Sequence, residues 1–152
     1  MAHDVSIDIA GLPRLQRKVT LIRNSIFSIK LMTELGFFAM TKIKKRTAAG
    51  RDVDGVPFMP YSEKYTMFRR KHGRPTSRVD LFFHGDMMSS MTTDTESDKV
   101  EIYFQNTTDQ SGVENPKKAF FLNEDRNFFA LSDEDIRQMI RIVNNYYRRL
   151  MR

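Results

Sequence analysis

Between residues 12 and 43 the apolar side chains fall into two helical stripes that do not share a face. Leu12, Leu15, Val19, Ile22, Ile26 and Ile29 follow one another at steps of 3, 4, 3, 4 and 3, the spacing of one side of an α-helix. The stripe then shifts to Leu31, Leu35, Ala39 and Ile43. One unbroken helix through both would be roughly 50 Å long at 1.5 Å per residue, out of scale with so small a domain. The chain is therefore expected to break near residues 24–28 or to kink at Gly36, with two helices favoured over one rod. The second ends on KIKKRTAAG, where cations suit the negative pole of the helix dipole and Gly50 closes the helix.

The remaining elements follow from shorter patterns. Val5, Ile7 and Ile9 alternate with Ser6 and Asp8 as in a half-buried strand, and Gly11 and Pro13 mark a turn and a helix start. YSEKYTMFRRKHG reads as a short helix capped by Ser62 and ended by Gly73, followed by the loop RPTSR. Two strands are expected near 86–94 and 98–106, joined by DTESDK. The second has the clearer alternation: Val100, Ile102 and Phe104 against Glu101, Tyr103 and Gln105. NTTDQSGVENPKK reads as a surface loop. The C-terminal helix starts at Ser132 with Asp135 three residues on, carries Ile136, Ile140, Val143, Tyr147 and Leu150 as its apolar stripe, and ends in Arg148, Arg149 and Arg152. No internal repeat is visible. The expected class is α+β, one domain over 1–152, with a small antiparallel sheet packed against N-terminal helices and a C-terminal helix. A chain of 152 residues with 12 Phe and 10 Met has enough apolar mass for a core, and folding at this size buries roughly 70% of the unfolded surface.

Several chemistries are poorly served. The chain has no Cys, which removes disulfides and thiolate metal sites and suits a reducing compartment. MAHDVSIDIAG has no basic-then-apolar leader pattern, and IFSIKLMTELGFFAM is interrupted by Lys30 and Glu34 and too short to span a bilayer. A soluble protein with no membrane contact is expected. The stretch RDVDGVPFMPYSEKY starts like a calcium loop at Asp52, Asp54 and Gly55, with Glu63 at the twelfth position. Yet Val56 stands where the fifth position needs an oxygen ligand, and Pro57 stands where the sixth needs glycine. An Asp-Gly turn is the better reading. Of the three histidines, His3 is in the leading segment, His72 lies among arginines, and His84 is paired in sequence with Asp86. No nucleophile elbow, phosphate loop or zinc spacing accompanies them. No catalytic residue, cofactor or metal is expected. Met87, Met88 and Met91 read as adaptable packing.

Charge is distributed in blocks. The net charge of +6 divides into +5 over residues 1–56, +4 over 57–80, −8 over 81–135 and +5 over 136–152. Faces of opposite sign favour head-to-tail contact between copies as readily as contact with nucleic acid. The densest basic run, FRRKHGRPTSR, holds Arg69, Arg70, Lys71, Arg74 and Arg78 beside Phe68. It suits phosphate groups, the acidic block of a neighbouring copy, or plain solvation, with no DNA-reading motif around it to decide.

The order of three blocks resembles a known family. IKKRTAAGRDVDGVPFMPYSEKY, DLFFHGDMMSSM and RNFFALSDEDI, with VEIYF between the last two, are similar to the bacteriophage virion morphogenesis or tail completion family. Its pattern runs R-T-x-x-G-x-D-x-D-G-x-x-F-x-x-Y-S, then D-L-x-x-x-G-x-M, then R-x-F-F-x-L-S. Arg46, Thr47, Gly50, Asp52, Asp54, Gly55, Phe58, Tyr61, Ser62 and Tyr65 match the first block. Asp80, Leu81, Gly85 and Met87 match the second, and Arg126, Phe128, Phe129, Leu131 and Ser132 the third. The resemblance covers roughly residues 5–150. It departs after Ala119, where FFLNEDR replaces a His-Gln or His-Asn and a glycine-bearing loop. The resemblance implies a non-enzymatic structural protein of the virion, assembled in the host cytoplasm. It would form a homo-oligomeric, often hexameric, ring at the tail end or head–tail junction, partnered by other neck and tail proteins and in non-specific contact with phage DNA. It also makes Asp54, Gly55, Pro57, Phe58, Pro60 and Tyr61 a rigid joint between helices. The alternative is a basic nucleic-acid-binding module using the 69–78 cluster.

Overall fold

The computed structural model describes Arg17, Thr20 and residues 28–152, and the second apolar stripe forms the central helix. The strand expected at 5–9 and the stripe from Leu12 to Ile26 lie outside the described residues. Helix α1, Ile29–Ala48, starts after Ser28, whose backbone is extended at φ −126° and ψ 121°. It buries Leu31, Leu35, Ala39 and Ile43 as the spacing requires, and it continues through Gly36. A Cβ at Gly36 would stand 2.5 Å from Val100 Cγ2 and 3.3 Å from Thr93 Cγ2. The glycine lets the helix lie close on a sheet; it is no break.

That sheet is a hairpin of β1, Met91–Thr95, and β2, Val100–Phe104, antiparallel with Met91 opposite Phe104 and Thr95 opposite Val100. Glu96 N–H donates to Lys99 O at 2.9 Å to close the turn at the expected DTESDK. The first strand is shorter than expected, because residues 86–89 form a helical turn instead. Helix α2 spans Glu63–Lys71 and α3 spans Asp86–Ser89, entered through Gly85 at φ +92°. Met87 is buried within this helical turn and Met91 at the start of β1. The α2 cap is as expected: Ser62 Oγ accepts from Tyr65 N–H at 3.3 Å, and Gly73 at φ +65° follows its end.

A second correction concerns the expected loop at 106–118. Its last residues enter helix α4, Asn115–Arg126, with Pro116 in the first turn. Proline is favoured there because its missing N–H has no helical acceptor anyway. Asn115 is buried and donates through Nδ2 to Thr107 Oγ1 at 2.9 Å. Asp109 organises the preceding turn by accepting from Ser111 N–H, Ser111 Oγ, Val113 N–H and Lys118 Nζ.

Helix α5, Asp133–Leu150, has the full capping box of Ser132 and Asp135, but only part of its expected apolar stripe is covered, Val143 and Tyr147. Ile136, Ile140 and Leu150 are 45%, 53% and 42% exposed, whereas Met139, Ile142, Val143 and Tyr146 are half-buried. Helix α1 packs against both strands and against α5, while α4 packs against β2 and α3. Ile43, Phe58, Val79, Met87, Met91, Phe104, Ala119 and Phe128 make the shared core. The class is α+β, as expected. Among the described residues no helix is long and apolar enough to cross a membrane.

Candidate functional site

At the expected joint the chain makes a turn that Asp52 organises. The Asp52 carboxylate accepts from Asp54 N–H at 3.0 Å and Val56 N–H at 2.8 Å, and Asp52 N–H donates to Val56 O at 2.9 Å. Gly55 has φ +80°, a conformation a side chain would strain. Phe58 is buried and donates its N–H to Gly50 O at 2.8 Å, while Pro57 and Pro60 are exposed. The Tyr61 hydroxyl donates to Asp80 Oδ1 at 3.2 Å. Asp54 is exposed and contributes the turn without a side-chain bond of its own.

A clamp joins the joint to the RNFFALS segment. Arg46 reaches from the end of α1 to Asp135 Oδ2 at 2.7 Å and to the carbonyls of Phe128 and Ala130. Val53 N–H donates to Asn127 O at 3.1 Å. Burial pushes the Asp135 carboxyl up, but hydrogen bonds from Ser132 and Arg46 and the guanidinium charge outweigh it. The group stays below its ordinary range. Phe128 is fully buried and Phe129 half-buried. Arg126 keeps its Nε buried without an acceptor among the described residues.

The basic cluster does not survive as one surface. Arg69 is 1% exposed. Its guanidinium donates to Pro75 O at 2.9 Å, to Phe82 O at 3.0 Å and to Asp80 Oδ1 at 3.3 Å, and lies 4.6 Å from the centre of the Tyr61 ring. It ties α2 to the 75–82 segment and presents nothing to a partner or to DNA. Arg74 is half-buried over Phe83 at 5.4 Å. Arg70, Lys71 and Arg78 remain exposed. His84 stacks edge-on against Phe83 at 4.6 Å, and His72 against Phe68 at 4.3 Å. His72 also places Nδ1 2.8 Å from Phe68 O.

Two exposed faces carry large apolar side chains instead. On α2, Met67 is 57% exposed and lies among Lys64, Arg70 and Lys71, three or four residues away along the helix. On α4, Phe120 and Phe121 are 62% and 55% exposed, each with an acid one turn later, Glu124 and Asp125. Beside Phe120 runs a groove of about 370 Å³ walled by Ile102, Tyr103, Pro116 and Phe129, with Glu124 in its lining. The α4 face is absent from the sequence reading, which began no helix there. Pro116 after a polar turn was the signal for a helix start. The chain matches no family model, no curated protein and no solved structure.

Proposed function

We propose that this chain is a structural assembly protein of a phage virion, forming a homo-oligomeric ring at the tail end or head–tail junction and catalysing no reaction. The observation that carries the reading is the apolar surface left on separate helices: Met67 and Phe68 on α2, Phe120 and Phe121 on α4, Ile136 and Ile140 on α5. Single exposed apolar residues are ordinary, but grouped ones rimmed by charge mark surfaces that other protein covers. The ordered match of three sequence blocks to the tail completion pattern supports the place in the virion.

The three exposed cations Arg70, Lys71 and Arg78 keep a second reading in play, a basic module that binds nucleic acid. Mass photometry with and without duplex DNA separates them. Discrete closed assemblies without DNA are expected. A protein that stays monomeric up to tens of micromolar and binds DNA overturns the assembly reading in favour of the second.

A further inference from the structure

We propose, resting on the assembly reading above, that successive copies join head to tail by seating Met67 of one α2 in the groove beside Phe120 of the next copy's α4. The two faces are complementary in both of their properties. The α2 face is an apolar side chain ringed by Lys64, Arg70 and Lys71, all exposed. The α4 face is an apolar groove with Glu124 in its lining and Asp125 on the following residue, both exposed. Among the described residues none of these five charged groups forms an ion pair.

The acids also stand against the electrostatics of their own helix. Glu124 and Asp125 occupy the last turn of α4, where the backbone is already negative and cations are preferred. Lys71 and Arg70 occupy the last turn of α2, where they are favoured. A residue choice that weakens its own helix and, among the described residues, serves no ion pair points outward, to a cationic partner. An anionic one, whether nucleic acid or a lipid headgroup, is repelled from the same groove.

Among the described residues the two faces do not meet within one chain. Within the chain, α2 and α4 line a common cavity with Tyr65 and Arg69 on one side and Leu122 and Arg126 on the other. Met67 lies two residues from both Tyr65 and Arg69. Phe120 and Glu124 each lie two residues from Leu122. Two residues are about 200° around a helix, so the two exposed faces point away from the cavity and from each other. A contact between unlike faces on opposite sides is heterologous, and it generates rings where the rotation closes. Apolar burial supplies the affinity, and charge sets register and encounter rate.

The test uses two single variants of the full chain, Met67→Asp and Phe120→Asp. Both side chains are exposed, so both variants should melt like the wild type. Each alone should run as a monomer in light scattering after size exclusion, where the wild type assembles. Mixed, they retain one intact pairing, the Met67 of one with the groove of the other, and should form a 1:1 dimer and nothing larger. Assembly of both variants at wild-type levels overturns the inference and leaves the assembly reading standing. Monomers in the mixture overturn the pairing of these two faces. A wild type that is itself monomeric removes the assembly reading and this inference together.

Discussion

Replacing Arg69 by alanine is the sharpest test of how this structure redistributes the basic cluster. The side chain is 1% exposed and satisfies three acceptors: Pro75 O, Phe82 O and Asp80 Oδ1. Removing one partner of a buried ion pair costs about 3–5 kcal/mol, because the remaining groups stay desolvated and unpaired. Asp80 keeps the Tyr61 hydroxyl and the Phe82 N–H at 3.0 Å, which places the loss at the lower end, about 3 kcal/mol. In a domain near 150 residues each kcal/mol moves the melting temperature by about 2–4 °C, so Arg69→Ala should melt about 6–12 °C low. Arg69→Lys retains the charge but not the planar fork, and should recover only part of the loss. Arg70→Ala and Lys71→Ala, both exposed, should stay within about 0.5 kcal/mol of wild type. Thermal melts by circular dichroism read all four. If Arg69→Ala melts with the wild type and loses assembly or DNA binding instead, its role as an internal tie is wrong. Reversing Arg69, Arg70 and Lys71 together would break this internal tie along with the surface charge; a surface reversal has to be confined to Lys64, Arg70 and Lys71.

Other perturbations test the joint, the core and the clamp. Gly55→Val forces a β-branched side chain to φ +80° with nothing within 4 Å of its Cβ, so strain alone should cost about 1–2 kcal/mol, read as a lower urea midpoint. Phe128→Ala, at a site with 0% exposure, should lose about 3–5 kcal/mol. Phe129→Ala, half-buried in the groove wall, should lose less stability and more assembly by light scattering; equal melts would refute the division. Asp135 has a folded pKa below the ordinary carboxylate value. Its contribution is thus complete above the unfolded pKa of about 3.9 and is lost as pH falls through the lower folded value. Urea midpoints should fall below about pH 4, and Asp135→Asn should start lower at neutral pH and lose that part of the acid slope.

Where local periodicity and tertiary packing agreed, the sequence was enough to place an element. Leu31, Leu35, Ala39 and Ile43 are buried in the order their spacing implies, and Ser132 with Asp135 marks a capped helix start. It misled where one local signal admitted two packings. The apolar residues of α5 fill more than one side, and which side meets α1 is decided by α1's surface, so Met139 and Val143 are covered while Ile136 and Ile140 are not. Arg69 looked like one cation of five, because nothing local says that Pro75 O, Phe82 O and Asp80 converge on it from a segment up to thirteen residues away. The groove was out of reach for the same reason. Its walls come from β2, α4 and Phe129, which only the fold brings together.

The clamp gives a physical reason for the joint and the groove to behave as one body. Phe129, a wall of the groove, has its N–H held by Asn123 Oδ1 at 2.8 Å. The carbonyls on either side of it, Phe128 O and Ala130 O, both accept from Arg46. Arg46 is itself fixed by Asp135 at the head of α5, and the joint is tied to the same segment through Val53 N–H and Asn127 O. Docking on a groove set by such bonds needs little reordering, so less of the contact energy is lost to entropy. Arg46→Lys keeps the charge but removes the fork that spans Asp135 and two carbonyls. It should therefore loosen Phe129 and weaken assembly by more than its effect on melting accounts for. Light scattering across a concentration series, compared with thermal melts, checks this. An Arg46→Lys variant whose assembly falls only in step with its stability would show that the clamp holds the fold and does not shape the groove.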